Sequence, residues 1–196
     1  MQPADYKKAI KNALEAGQPL TSVARRIYLC YPTFSFLNMP DREFDIKNSI
    51  ANEHHVAISD IHFGGSGKTG ESYHKEKSFE PGTSDLDAAI VNARLFLTFL
   101  EDAVATTEGF KDFTSYDKRV DDVEEFTLRL QRGILIPALM PSCQRRTKWL
   151  SYFENLSRGN TDLCKDINCW IYCSPGIYEW KFAQTIKLLL PKATND

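Results

Sequence analysis

Two aspartates two residues apart inside an apolar run constrain this chain more than any other feature. They are Asp85 and Asp87 in Ser84-Asp85-Leu86-Asp87-Ala88-Ala89-Ile90-Val91. Upstream lie an apolar run ending at Phe63 and a Gly/Ser segment, Gly64-Gly65-Ser66-Gly67-Lys68-Thr69-Gly70. In an extended strand, side chains alternate between faces. Asp85 and Asp87 then point one way, and Leu86 and Ala88 point the other way, toward a core. Like charges on one face repel unless a cation, an Arg or Lys, or a shared proton neutralises them. A hard divalent ion is one solution, because Mg²⁺ is typically bound by one or two carboxylates plus substrate phosphates.

Other readings of the same residues stay open at this level. The segment 64–70 can be a plain flexible loop. Asp85 can instead cap a long helix running from Leu86 to residue 105, which would leave no metal site. The Gly/Ser segment also looks like a Walker A loop. That pattern needs Gly at position 62, where the chain has His62, and the polar run to Pro81 offers no apolar stripe for the helix that must follow the lysine.

The ordered combination over Ile58–Asn92 resembles the signature of the nucleotidyltransferase superfamily, the polymerase-beta-like fold. That signature is an apolar strand, Gly-Ser, a variable loop, then Asp-x-Asp in a second strand. Gly65-Ser66 and Ser84-Asp85-Leu86-Asp87 match its two halves. Gly70, Ser72, Phe79, Ala89 to Asn92 and Leu95-Phe96 look closer to a mostly uncharacterised bacterial subgroup with a longer loop after Gly-Ser. The resemblance implies an α/β (α+β) fold, a small mixed sheet flanked by helices. It implies Mg²⁺-dependent transfer of a nucleotidyl group from a nucleoside triphosphate to an RNA, a protein or a small molecule. A toxin–antitoxin or antiviral defence system is the implied setting. The alternative is a catalytically degenerate fold acting as a binding or immunity partner.

Carried over residue by residue, the resemblance makes Asp85 and Asp87 metal ligands and catalytic residues. It puts Gly65, Ser66, Lys68 and Ser84 at the nucleotide. Gly65 would let backbone N–H groups approach the triphosphate, Ser66 would add a hydroxyl, and Lys68 would face phosphate oxygens. A third carboxylate usually comes from a later neighbouring strand. Asp166 is the candidate, sharing a strand face with Asn168, Trp170 and Tyr172, and Asp121, Asp122 and Glu124 are rivals on an apparent helix.

The 196 residues suit one domain, 1–196, with an N-terminal helical extension over about 1–53. A net charge of −2 argues against a globally basic nucleic-acid binder and leaves a local basic patch open. Five cysteines contain no CxxC pair. Cys169 and Cys173 share a strand face, but no histidine completes a zinc set, so buried free thiols are expected. The charged N-terminus carries no signal-peptide core, and no run approaches the ~18 apolar residues of a membrane span, so a cytoplasmic protein without membrane partners is expected.

Periodicity places helices at 3–16, 45–53, Asn92–Thr106, Val120–Leu130, Ser142–Leu156 and Ile177–Leu190, the last ended by Pro191. Strands are expected at Val56–Phe63, Thr83–Val91 and Asp166–Cys173. The segment 21–31 fits a helix or a strand. Residues 32–44 read as an irregular loop packing Phe34, Phe36 and Phe44, and 71–82 as a mobile polar loop. His54 and His55 would take opposite strand faces. Arg145, Arg146 and Lys148 read as a solvated helix face.

Overall fold

In the computed structural model, residues 1–116 and 120–190 are described. Residues 117 and 118 of the expected loop, and the expected stop at Pro191, lie outside them. Six strands form among the described residues: β1 (Ile61–Phe63), β2 (Glu71–Ser72), β3 (Lys77–Ser78), β4 (Leu86–Val91), β5 (Ile134–Leu135) and β6 (Ile167–Tyr172). Four of them make a mixed sheet in the order β1-β4-β6-β5, while β2 and β3 pair as a separate two-stranded ribbon. The central pair β4–β6 is parallel, with Asp87 opposite Asn168 and Ala89 opposite Trp170. The outer pairs β1–β4 and β5–β6 are antiparallel.

Eight helices are seen among the described residues: α1 (Pro3–Glu15), α2 (Leu20–Arg25), α3 (Pro40–His54), α4 (Gly65–Thr69), α5 (Ala93–Thr106), α6 (Val120–Gln131), α7 (Gln144–Arg158) and α8 (Pro175–Lys187). They cover both faces of the sheet, as the period of two along β4 and β6 demands. Leu86, Ala88 and Ile90 join Ile167, Cys169 and Ile171 in a core shared with α3, α5 and α7. Ala89, Val91 and Tyr172 face the other way, into a core with Tyr6, Ile27, Tyr178 and Phe182 of the N-terminal segments and α8. The mixed α+β class is thus as expected, and the first fifty residues contribute to both cores.

Local chemistry sets the joints. Asn92 caps α5, its side-chain oxygen accepting the Leu95 N–H at 2.9 Å. This strand-then-cap arrangement overturns the alternative of one helix from Leu86. Ser174 caps α8 in the same way, and the Tyr178 hydroxyl donates to the Phe63 carbonyl at 3.2 Å, tying α8 to the end of β1.

Several expectations need correction. The first strand is three residues long, because Ile58–Asp60 form a 3-10 turn. The segment 64–70 is the short helix α4 rather than a loop, and 71–82 contains the β2–β3 ribbon, anchored to α1 by Lys7 and Glu71 at 2.6 Å. Segment 21–31 resolves into α2 and a π-helical turn over Arg26–Cys30. Helix α3 begins at Pro40, where proline's fixed φ suits a first helical turn, and leaves Phe44 55% exposed. His54 ends α3 and packs against Trp149, while His55 takes the left-handed cap position at φ 53°. Arg145 pairs with Asp102 at 2.5 Å, and Arg146 bonds Ser142.

Ile90 lies at the centre of the sheet with no solvent exposure. Truncating it to alanine removes methylene groups and leaves a cavity, so Ile90→Ala is expected to lose about 3 kcal/mol in urea denaturation, with an unchanged m-value.

Candidate functional site

The second face of the sheet is only partly covered. Near the starts of β4 and β6 a cleft of about 500 Å³ opens over Asp85, Asp87 and Asn168. Its walls come from three other elements: Gly65 and Ser66 opening α4, Lys75 and Lys77 on the β2–β3 ribbon, and Lys181 and Phe182 on α8.

Gly65 explains why the turn and the carboxylates meet. Its φ is 55°, a left-handed value that favours glycine, and a Cβ there would stand 2.0 Å from Asp87 Oδ2. The Gly64 N–H donates to the Asp87 carbonyl at 2.8 Å and fixes the height of the turn on β4. Ser66 and Thr69 share the cleft-facing side of α4.

Asp87 reaches the solvent of the cleft but is ringed by protein. Burial raises its pKa to about 6, the charge of Asp85 adds to the rise, and Lys75 and Lys181 partly oppose it. Lys181 is half-buried. Burial lowers its pKa, helped by the like charge of Arg129 and Arg132 and opposed by Asp87. Ser84 lines the cleft mouth, and its hydroxyl accepts the Glu80 N–H at 3.0 Å, shaping the turn before β4.

The structure therefore brings together Gly65, Ser66, Ser84, Asp85 and Asp87. It does not bring Lys68 or Asp166 with them. Lys68 sits two residues after Ser66, about 200° around the helix. It is 4% exposed, turned into the interior, and donates to the Tyr31 carbonyl at 2.6 Å. Burial holds its pKa down to about 8, and the side chain does not line the cleft. Asp166 precedes the paired part of β6. Its carbonyl accepts the Leu86 N–H, while its exposed carboxylate lies 3.7 Å from Lys165. Asn168 is the residue in register with Asp87. Among the described residues no group of three or more His, Cys, Asp or Glu is placed to hold a metal, at Cys169 and Cys173 or elsewhere.

The donor set still suits one hard cation. Asp85, Asp87 and Asn168 line the cleft and would supply its oxygen ligands, and the missing side chain of Gly65 leaves Asp87 Oδ2 uncovered. Mg²⁺ takes its remaining positions from water and substrate phosphates.

Two cleft residues escaped the motif-based reading. Asn168 became relevant only through strand register. Lys181 carried a readable signal, since Tyr178, Lys181, Phe182 and Thr185 at i, i+3, i+4 and i+7 put the lysine on the inward stripe of α8. No family model matches the chain, and neither a curated protein nor a solved structure is found to match it. No helix among the described residues is long and apolar enough to cross a membrane.

The raised pKa of Asp87 has a definite sign in stability. Unfolded chains release this proton near pH 4, whereas the native state holds it to about pH 6. The native state thus binds more protons in that window, and stability falls as pH rises through it. Asp87→Asn removes the penalty. Its melting temperature is expected to exceed wild type at pH 8 by about 2 °C, a small gain because the open cleft screens the charge. The gain should vanish below about pH 4 in calorimetric scans.

Proposed function

We propose that the cleft binds a nucleoside triphosphate together with Mg²⁺ and transfers the nucleotidyl group to an acceptor hydroxyl. The observation that carries this reading is the contact of Gly65 with Asp87, which makes a Gly-Ser turn and a carboxylate pair face one open cleft. Asp85 and Asp87 hold the ion. Gly65 and Ser66 receive phosphate oxygens on backbone N–H groups and the Ser66 hydroxyl, and Ser84 borders the same mouth. Lys75 and Lys181 offset the remaining negative charge. The ion supplies charge neutralisation on the phosphoryl oxygens when bound.

The chain's own contribution is positioning and electrostatics, which carry most of the catalysis in phosphoryl chemistry. The acceptor oxygen forms a bond to the α-phosphorus. The bond from that phosphorus to the bridging oxygen breaks, pyrophosphate leaves with the electron pair, and the hydroxyl proton passes to water in the open cleft. The sequence resemblance adds a toxin–antitoxin or defence system as the setting.

One observation favours a second reading, in which the cleft binds the nucleotide without transferring it. The position opposite Asp87 on the neighbouring strand is Asn168, a neutral amide where a third carboxylate would complete a two-metal site. A substitution separates the two readings. Asn168→Asp is expected to raise Mg²⁺ affinity about tenfold, by adding a charged oxygen ligand, and to raise any transfer rate with it.

Isothermal calorimetry with ATP, GTP, CTP and UTP, with and without Mg²⁺, tests binding itself. Wild type is expected to bind at least one triphosphate only with Mg²⁺, and Asp85→Ala/Asp87→Ala to lose it. A wild type that binds none of the four with Mg²⁺ present would remove both readings.

A further inference from the structure

Lys181 is a half-buried cation without a partner. It lines the cleft, and its ammonium makes neither a hydrogen bond nor an ion pair with any described residue. The other described lysines that are not exposed each have a partner within the protein. Lys7 pairs with Glu71 at 2.6 Å, Lys47 with Glu43 at 2.9 Å, and Lys68 donates to the Tyr31 carbonyl at 2.6 Å. Holding a partly desolvated ammonium unpaired is costly, so its partners are expected to arrive with a ligand.

The helix that carries it is fixed on three sides. The Tyr178 hydroxyl donates to the Phe63 carbonyl at 3.2 Å, Glu179 pairs with Arg25 at 2.7 Å, and the Phe182 ring fills the space that a Cβ on Gly64 would meet at 2.6 Å. Phe182 thus stands on the Gly-Ser side of the cleft. Lys181, one residue earlier, points about 100° away around the helix. The Arg129 guanidinium lies 5.6 Å from the Trp170 ring of β6 and its like charge acts on Lys181, which sets the ammonium toward β6. That is the side where Asn168 stands in register with Asp87.

We infer that the Lys181 ammonium takes the place of a second metal ion, so that transfer runs with one divalent ion on Asp85 and Asp87 and one fixed cation on α8. The inference rests on the transferase reading and deepens it. Two-metal sites hold their ions about 4 Å apart and need carboxylates enough to bind both. Of the carboxylates that line this cleft, Glu71 is taken by Lys7, which leaves Asp85 and Asp87. Those two balance the charge of one divalent ion, and Asn168 adds none. An ammonium needs no protein ligand and offers three donors. Lys181 would donate to the acceptor oxygen and to a non-bridging oxygen of the α-phosphate, and it moves no proton. The bonds made and broken are those given above, with the hydroxyl proton passing to water.

The test is electron paramagnetic resonance of the full chain loaded with Mn²⁺, with and without an ATP analogue whose α,β-bridge is an uncleavable methylene. Two ions about 4 Å apart give an exchange-coupled spectrum, and isolated ions do not. Wild type and Asn168→Asp are expected to show isolated ions only. Asn168→Asp/Lys181→Met supplies the missing carboxylate and withdraws the competing charge, and is expected to show the coupled pair. Methionine keeps an unbranched stem of similar volume, so α8 stays packed. In calorimetry at saturating Mg²⁺, Lys181→Met should bind the analogue about tenfold more weakly, the scale of one lost charge-assisted contact. Lys181→Arg should recover most of that loss, a dependence on charge that a merely structural residue would not show.

A coupled pair in wild type or in Asn168→Asp would overturn the inference. So would its absence from the double variant, or analogue binding that ignores Lys181→Met. A wild type that binds no Mn²⁺ would remove the carboxylate site and the inference with it. If wild type binds Mn²⁺ but no triphosphate, and the coupled pair is still confined to the double variant, Lys181 remains the cation that excludes a second ion and the transfer reading falls instead.

Discussion

The contact of Gly65 with the Asp87 carboxylate is the constraint on which the site depends. A side chain at 65 would stand 2.0 Å from Asp87 Oδ2, and the positive φ alone would cost an L-residue about 1–2 kcal/mol. The Gly64 N–H bond to the Asp87 carbonyl and the Phe63–Ala88 pairing leave the turn no freedom to slide along β4. The short helix that follows has one side on the cleft, through Ser66, and the other in the interior, through Lys68. One backbone geometry thereby turns two polar residues, two positions apart, to opposite sides.

Charge placement follows from that frame. Asp87 is kept difficult to ionise by burial and by Asp85, and the cations that relieve it come from elements distant in sequence, Lys75 on the ribbon and Lys181 on α8. A carboxylate pair placed this way gains from any divalent ion that enters, since the ion replaces a repulsion with two attractions. The Tyr178–Phe63 hydrogen bond holds α8 at the end of β1, so the helix carrying Lys181 is registered to the strand that carries the Gly-Ser turn.

Much of this was legible in the sequence where a short-range rule decided the outcome. The alternation of Asp85, Leu86, Asp87 and Ala88 gave the correct faces of β4, and the apolar period after Asn92 gave α5 within one residue. Long-range packing decided the rest. Gly65-Ser66-Gly67 has weak helix propensity, yet it forms a helical turn because Gly67 fits against Leu86 where a Cβ would clash at 2.7 Å. Lys68 read as a phosphate ligand because a motif shows spacing but not which side of a helix faces a cleft. Asp166 has the right alternation for the shared face but precedes the paired residues of β6, so its side chain turns to Lys165 and solvent. Register between β4 and β6 depends on the long connection from Asn92 to Asp166, and nothing local in the sequence announces Asn168 as the neighbour of Asp87.

The most direct measurement is nuclear magnetic resonance of the ¹⁵N-labelled protein titrated with Mn²⁺ and ATP, because Mn²⁺ takes the oxygen ligands of Mg²⁺ and broadens the amides nearest to it. The account predicts that Gly65, Ser66, Asp85, Asp87 and Asn168 broaden first, that broadening needs both metal and nucleotide for full effect, and that Asp87→Asn abolishes it. Broadening centred on any other part of the chain, or unchanged in Asp87→Asn, would contradict the claim that this carboxylate pair and its glycine turn form one metal–nucleotide site.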